Sequence, residues 1–130
     1  MVTEEFIRAE FAPWETTDVS PYFANLPENV EWIVTGKDHP LAGHFKSKTE
    51  AMEVFSRIVS KLATPLECKL VNIIAAGNWG IVEMVGRATT TGGNPYVQEC
   101  VWLCRYEGDK CVEVRFYTDT LAYENLFAEP

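Results

Sequence analysis

The hydrophobic periodicity of this chain changes at Pro65, and that change constrains the fold more than any other feature. Before it, "SKTEAMEVFSRIVSKL" sets Ser47 three residues ahead of Glu50 as a capping box, followed by Met52, Phe55, Ile58, Val59 and Leu62 at helical spacing. After it come four β-rich segments, "LECKLVNIIAAG", "WGIVEMVGRATTT", "NPYVQECVWLCRYEG" and "KCVEVRFYTDT", separated by the turn signals "GN", "GGN" and "EGDK". Links this short favour an antiparallel meander.

Upstream, Thr3 can cap an amphipathic helix running to Phe11, and a second helix is expected from about Asp18, stopping before Pro27. Trp14, Tyr22 and Phe23 gather near their junction and are expected to close the core. "NVEWIVTG" alternates as a strand with Trp32 on one face, and "KDHPLAG" turns the chain, with Pro40 holding His39 extended and Gly43 permitting the next bend. The closing "DTLAYENLFAEP" reads as a short helix capped by Asp119 or Thr120, or as an extended tail. The fold class is therefore α+β: about three N-terminal helices on one face of a curved, mainly antiparallel sheet, with a pocket between the layers.

The 130 residues suit one domain, 1–130. No apolar run approaches the roughly 20 residues of a membrane helix, and the acidic start "MVTEEFIRAEF" does not read as a secretory signal, so a cytoplasmic location is expected and no membrane partner. A net charge of −8, with eleven scattered basic residues, argues against nucleic acid. The four cysteines form no CxxC and the two histidines no metal spacing, so no metal is expected. Cys100 and Cys104 on one strand would be about 13 Å apart, too far for a disulfide. "TTGGNP" reads as a hairpin turn and not as a phosphate cradle, so no cofactor is expected.

The order of elements resembles the SnoaL-like branch of the nuclear transport factor 2-like superfamily. "VEWIVTGKDHPLAGHFKSKTEAMEVF" is similar to its strand, P-x-x-G turn and third helix, and "PYVQECVWLCRYEGDKCVEVRFYTDT" to its final hairpin. The resemblance implies a cone-shaped α+β fold, shared by isomerases, cyclases, epoxide hydrolases, dehydratases and non-catalytic binders, so residues must decide the chemistry. The Arg and two Asp of the epoxide hydrolases would fall near Met84, Gly86 and Phe116. The base of the steroid isomerases would fall at Ile33 or Val34, and their oxyanion-binding acid near Trp102, whose indole N–H can itself donate to an oxyanion.

The cyclase pattern points to Asp119 in "FYTDT", with His39 and Arg115 as further catalytic candidates. Asp119 could equally be a helix cap, His39 a solvent-facing turn residue, and Arg115 an ion-pair partner of Glu99 or Glu113. A two-residue turn at Gly108-Asp109 would pair Val101 with Phe116 and Leu103 with Val114, placing Trp102 and Arg115 together on the opposite face, while a bulge would change that. Trp102 and Phe116 are thus alternative pocket walls; the resemblance adds Trp32, Phe55 and Met84 to the expected pocket, and Tyr22 is a further pocket candidate. Such a lining suits a small apolar molecule of polyketide, terpenoid or steroid-like type. The expected function is a cofactor-independent isomerase, cyclase or lyase using acid/base chemistry, or else a non-catalytic binding or interaction module. The resemblance also implies a homodimer through the sheet, for which a face bearing Cys100, Trp102, Arg115 and Tyr117 would serve.

Overall fold

A computed structural model describes residues 1–130. Helix α1 (Glu4–Phe11) passes through a 3-10 turn (Ala12–Glu15) into the five-residue α2 (Ser20–Ala24). Strands β1 (Glu31–Val34) and β2 (Gly43–Phe45), helix α3 (Lys48–Val59), the long strands β3 (Glu67–Ala76), β4 (Trp79–Thr89), β5 (Pro95–Glu107) and β6 (Lys110–Thr118), and helix α4 (Thr120–Ala128) complete the chain. The helices begin where side chains can accept orphan N–H groups. Thr3 accepts from Phe6, Ser47 from Glu50, and Asp119 from Leu121 and Ala122. The second helix is shorter than its sequence suggests, because Asp18 spends its carboxylate on Ser20 and Thr17 adopts φ +68°, delaying the start to Ser20.

One six-stranded sheet has the order β2-β1-β6-β5-β4-β3. All neighbours are antiparallel except β1 and β6. β2 is a strand that the sequence reading counted as turn and helix approach; it pairs Phe45 with Trp32. Two irregularities shape the sheet. Val71 is the extra residue of a bulge in β3, and the Leu70 N–H beside it is taken by the Glu15 carboxylate at 3.1 Å, which fixes the 3-10 turn and hence Trp14 over the sheet.

The second bulge lies in β6. The turn is indeed the two residues Gly108-Asp109, since Glu107 pairs with Lys110, but Val112 has no partner between Cys111 and Glu113. This shifts the register from the even-turn expectation: Trp102 pairs with Phe116, Val101 with Tyr117 and Leu103 with Arg115. Because side chains alternate along a strand, one extra residue moves Val114 and Phe116 onto the face that carries Trp102 and sends Arg115 to the other.

The core fills the concave face under the helices. Trp102 is its hub, with Phe116, Trp14, Phe11, Trp32 and Tyr22 rings at centroid distances of 4.9, 5.0, 5.3, 5.4 and 5.8 Å. At one end, Glu10 on α1 accepts the Tyr106 hydroxyl proton beneath the helix. Burial raises the Glu10 pKa, against the opposing effects of Tyr106 and Lys110. The sign follows for a carboxyl that ionises less readily folded than unfolded. Its contribution is fully present below the ordinary glutamate range and is lost as pH rises through the raised value. Glu10→Gln keeps an acceptor for Tyr106 and cannot ionise, so urea unfolding is expected to show this variant gaining on the parent as pH rises above the ordinary glutamate range.

Candidate ligand cavity

Between α3, α4, the 3-10 turn and the concave sheet face lies a partly open cavity of about 50 Å³, space for a few water molecules. Fourteen of its sixteen lining residues are hydrophobic. Trp32 and Val34 come from β1, Met84 and Gly86 from β4, and Trp102 and Phe116 from the β5/β6 pair. Trp14, Phe55 and Tyr123 close it from the helical side. A Cβ on Gly86 would lie 3.1 Å from Leu66 Cδ1, a tight contact that Leu66, itself a lining residue, would have to yield to by a few tenths of an ångström.

The polar part of the wall is neutral. On β5 the Tyr96 hydroxyl donates to the Gln98 side-chain carbonyl, and the Gln98 amide donates to the Thr118 hydroxyl and, at 3.3 Å, to the Asp119 backbone carbonyl. Burial pushes the Cys68 and Cys100 thiols up to about 12, the Trp102 indole opposing the shift at Cys100, and raises both Tyr96 and Tyr123. Every titratable group on the wall is therefore uncharged at neutral pH. Two further buried donors, the indole N–H groups of Trp14 and Trp102, have no hydrogen-bond partner of normal geometry; that of Trp102 lies near the Cys100 sulfur, at most a weak acceptor. A buried unpaired donor costs about 1–3 kcal/mol, a debt that an incoming acceptor can relieve.

The three sequence candidates for catalysis are not brought to this cavity. Asp119 caps α4, its Oδ1 accepting from Leu121 N at 3.1 Å and Ala122 N at 3.3 Å. Asp119→Ala is expected to cost about 1 kcal/mol in urea unfolding, with Asp119→Asn close to neutral because Asn caps equally well. His39 is buried and not solvent-facing. Its Nδ1 accepts from Leu41 N at 3.2 Å and its Nε2 faces the Thr35 carbonyl at 2.8 Å, an arrangement that uses both nitrogens and fixes the Nε2–H tautomer. Arg115 lies on the convex face, 2.7 Å from Glu113, which Arg105 approaches at 3.1 Å from the other side. Burial acts to raise the Glu113 pKa, but the two guanidinium groups outweigh it and hold the carboxyl low.

Of the expected pocket residues, Trp32, Phe55, Met84, Trp102 and Phe116 line the cavity. Tyr22 does not: it sits a layer behind, against Trp14 and Trp102. The convex face does not carry Cys100 or Trp102 either, since the β6 bulge leaves both on the concave side with Phe116, and only Arg115 and Tyr117 remain outside. Sequence reasoning missed Tyr96 and Gln98 on the wall. Their signal was the period of two along β5, which carries Tyr96, Gln98, Cys100 and Trp102 to one face.

The resemblance puts the relatives' catalytic Arg and carboxylates at Ile33 or Val34, Met84, Gly86, Trp102 and Phe116; Ile33 is not among the lining residues. Val34, Met84, Gly86, Trp102 and Phe116 all line the cavity, and none is ionisable.

No family model and no curated protein sequence matches the chain. Solved structures do. An NTF2-like protein from Burkholderia thailandensis superposes with a TM-score of 0.81 at 22% identity, covering 100% of both chains. An NTF2-like protein of unknown function from Burkholderia pseudomallei gives 0.80 at 17%, covering 98% of this chain and 100% of that one. TerC, co-crystallised with polyporic acid, gives 0.78 at 18%, covering 96% and 97%. End-to-end superposition at this level, with the same helices-on-curved-sheet layout, establishes that the chain has the NTF2-like cone fold.

Proposed function

We propose that the protein binds a small, apolar molecule bearing a hydrogen-bond acceptor such as a carbonyl oxygen, and that it does so without acid/base catalysis of its own. The observation that carries this reading is the pairing of an apolar, uncharged cavity with two unpartnered indole N–H groups among its lining residues. A general base must reach the proton it removes and hold a pKa near the working pH. The wall offers only thiols and phenols that stay protonated, so the isomerase, cyclase or lyase expectation lacks its central group. A polyketide, terpenoid or steroid-like ketone fits the chemistry of the wall once the cavity widens. A structural neighbour that was crystallised with polyporic acid supports small-molecule uptake by this fold.

The test is a thermal-unfolding panel of small aromatic ketones against hydrocarbons of matched shape. Ketones are expected to raise the melting temperature more, and Trp102→Phe, which removes one donor, should narrow that preference. Equal shifts for ketone and hydrocarbon in the parent protein would contradict the donor role.

The convex sheet face leaves Val71, Ile74, Val97 and Tyr117 substantially exposed, and we read it as the surface through which two copies pair. Light scattering that returns a monomer at all practical concentrations would remove that part.

A further inference from the structure

The hydrogen-bond chain on the cavity wall runs in one direction, and backbone carbonyls set it. The Thr118 hydroxyl donates to the Glu99 carbonyl at 3.3 Å. A carbonyl can only accept, so Thr118 Oγ1 is left as an acceptor toward Gln98. One end of the Gln98 amide meets both that oxygen and, at 3.3 Å, the Asp119 carbonyl. Only the NH2 end can satisfy the two together. Both amide protons are thereby used, and Oε1 is turned to Tyr96. An amide oxygen cannot donate, so the Tyr96 hydroxyl does, and its single proton is used as well.

Tyr96 and Gln98 both line the cavity and are only 4% and 5% exposed. What they still offer a guest is acceptor capacity alone: a lone pair on the phenolic oxygen and the second lone pair on Oε1. Neighbouring groups do not fill it. Cys100 Sγ donates to the Met84 carbonyl at 3.6 Å, and the Tyr123 hydroxyl sits beside Thr118, whose oxygen has a lone pair left for its proton. The indole N–H groups of Trp14 and Trp102 have the opposite sense, since they can only donate.

We infer that the cavity reads two groups of opposite polarity on its guest, so that the ligand class is a hydroxy-ketone: its carbonyl oxygen accepts from an indole N–H, and its hydroxyl donates to Tyr96 and Gln98. This rests on the proposed small-molecule reading and deepens it. A ketone, ether or nitrile oxygen or nitrogen placed against Tyr96 would set acceptor against acceptor, and a hydrocarbon would leave buried acceptors bare. Gln98 acts here as a positioning residue, because it holds the Tyr96 proton away from the guest.

The test is calorimetric titration of the full chain with acetophenone and with its meta- and para-substituted hydroxy, methyl and cyano derivatives, which keep the ketone and change only the second group. In the parent protein at least one hydroxy isomer should bind about fivefold tighter than the methyl compound substituted at the same position, the net strength of one neutral hydrogen bond, and the cyano compound should bind more weakly than the methyl one. Gln98→Leu offers Tyr96 no acceptor and frees its proton to turn into the cavity. In that variant the cyano compound should gain about fivefold on its hydroxy counterpart. A parent that binds acetophenone but favours the hydroxy compound at neither position would overturn the inference and leave the small-molecule reading standing. Failure of every probe to bind, acetophenone included, would contradict both. An unchanged hydroxy-to-cyano ratio in Gln98→Leu, with the fold verified by circular dichroism, would overturn the positioning role; if the variant does not fold, the parent series alone decides.

Discussion

Trp102→Ala is expected to lower the free energy of unfolding by about 3–5 kcal/mol, the usual cost of truncating a fully packed aromatic. The magnitude follows from position: Trp102 is 3% exposed and contacts Phe11, Trp14, Tyr22, Trp32 and Phe116, which lie on five different elements: α1, the 3-10 turn, α2, β1 and β6. Trp102→Phe should behave quite differently. It leaves a small gap where the five-membered ring was, but it also removes an unpaired buried donor worth about 1–3 kcal/mol, so the net change should be close to neutral. Urea unfolding of both variants separates the two contributions. A Trp102→Phe protein as unstable as Trp102→Ala would mean that the indole N–H is satisfied after all.

The second large effect is expected at Gly36, which has φ +110°. An L side chain in that region carries backbone strain of about 1–3 kcal/mol. A Cβ there would also stand 2.8 Å from His39 Nε2 and 2.9 Å from its Cδ2. The imidazole cannot simply move, because it bridges the Thr35 carbonyl and the Leu41 N–H and so holds the turn that closes the β1 end of the cone. Gly36→Ala is therefore expected to cost about 2–4 kcal/mol by urea unfolding, strain and overpacking together. Gly77→Ala is the control. Gly77 also has positive φ, but nothing lies within 4 Å of its Cβ position, so only the left-handed penalty of about 1–2 kcal/mol should appear. Equal losses at the two positions would show that His39 yields freely and is not a fixed strut.

The same residues show what a sequence can disclose. The α3 helix and the four long strands were legible because their apolar residues repeat at the periods those structures require, and the Ser47 cap and the Gly108-Asp109 turn carry local chemistry that any reader of sequence can recognise. The bulge at Val112 was not legible. An extra residue in a strand changes no propensity, yet it decides that Phe116 joins Trp102 in the cavity and that Arg115 leaves it. His39 illustrates a second limit. "KDHPLAG" looks like solvent-exposed turn chemistry, but a His two residues before Leu41 can satisfy buried backbone groups, and that use depends on the approach of α4, whose Tyr123 ring lies 5.7 Å away. Asp119 was recognised both as a cap and as a possible base; the geometry of Leu121 and Ala122 selects the first. The apolar replacements at Val34, Met84, Gly86, Trp102 and Phe116 were visible as letters, but their convergence on one cavity was not.

The central claim is that an apolar, uncharged cavity presents indole N–H donors to an acceptor-bearing guest. It is tested most directly in solution by following the four indole N–H signals of 15N-labelled protein during titration with acetophenone. The account predicts that the Trp14 and Trp102 signals, assigned by single Trp→Phe variants, move downfield as their protons gain an acceptor, while Trp79 stays in place. Saturating acetophenone that leaves Trp14 and Trp102 unmoved, or that shifts only Trp79, would contradict it.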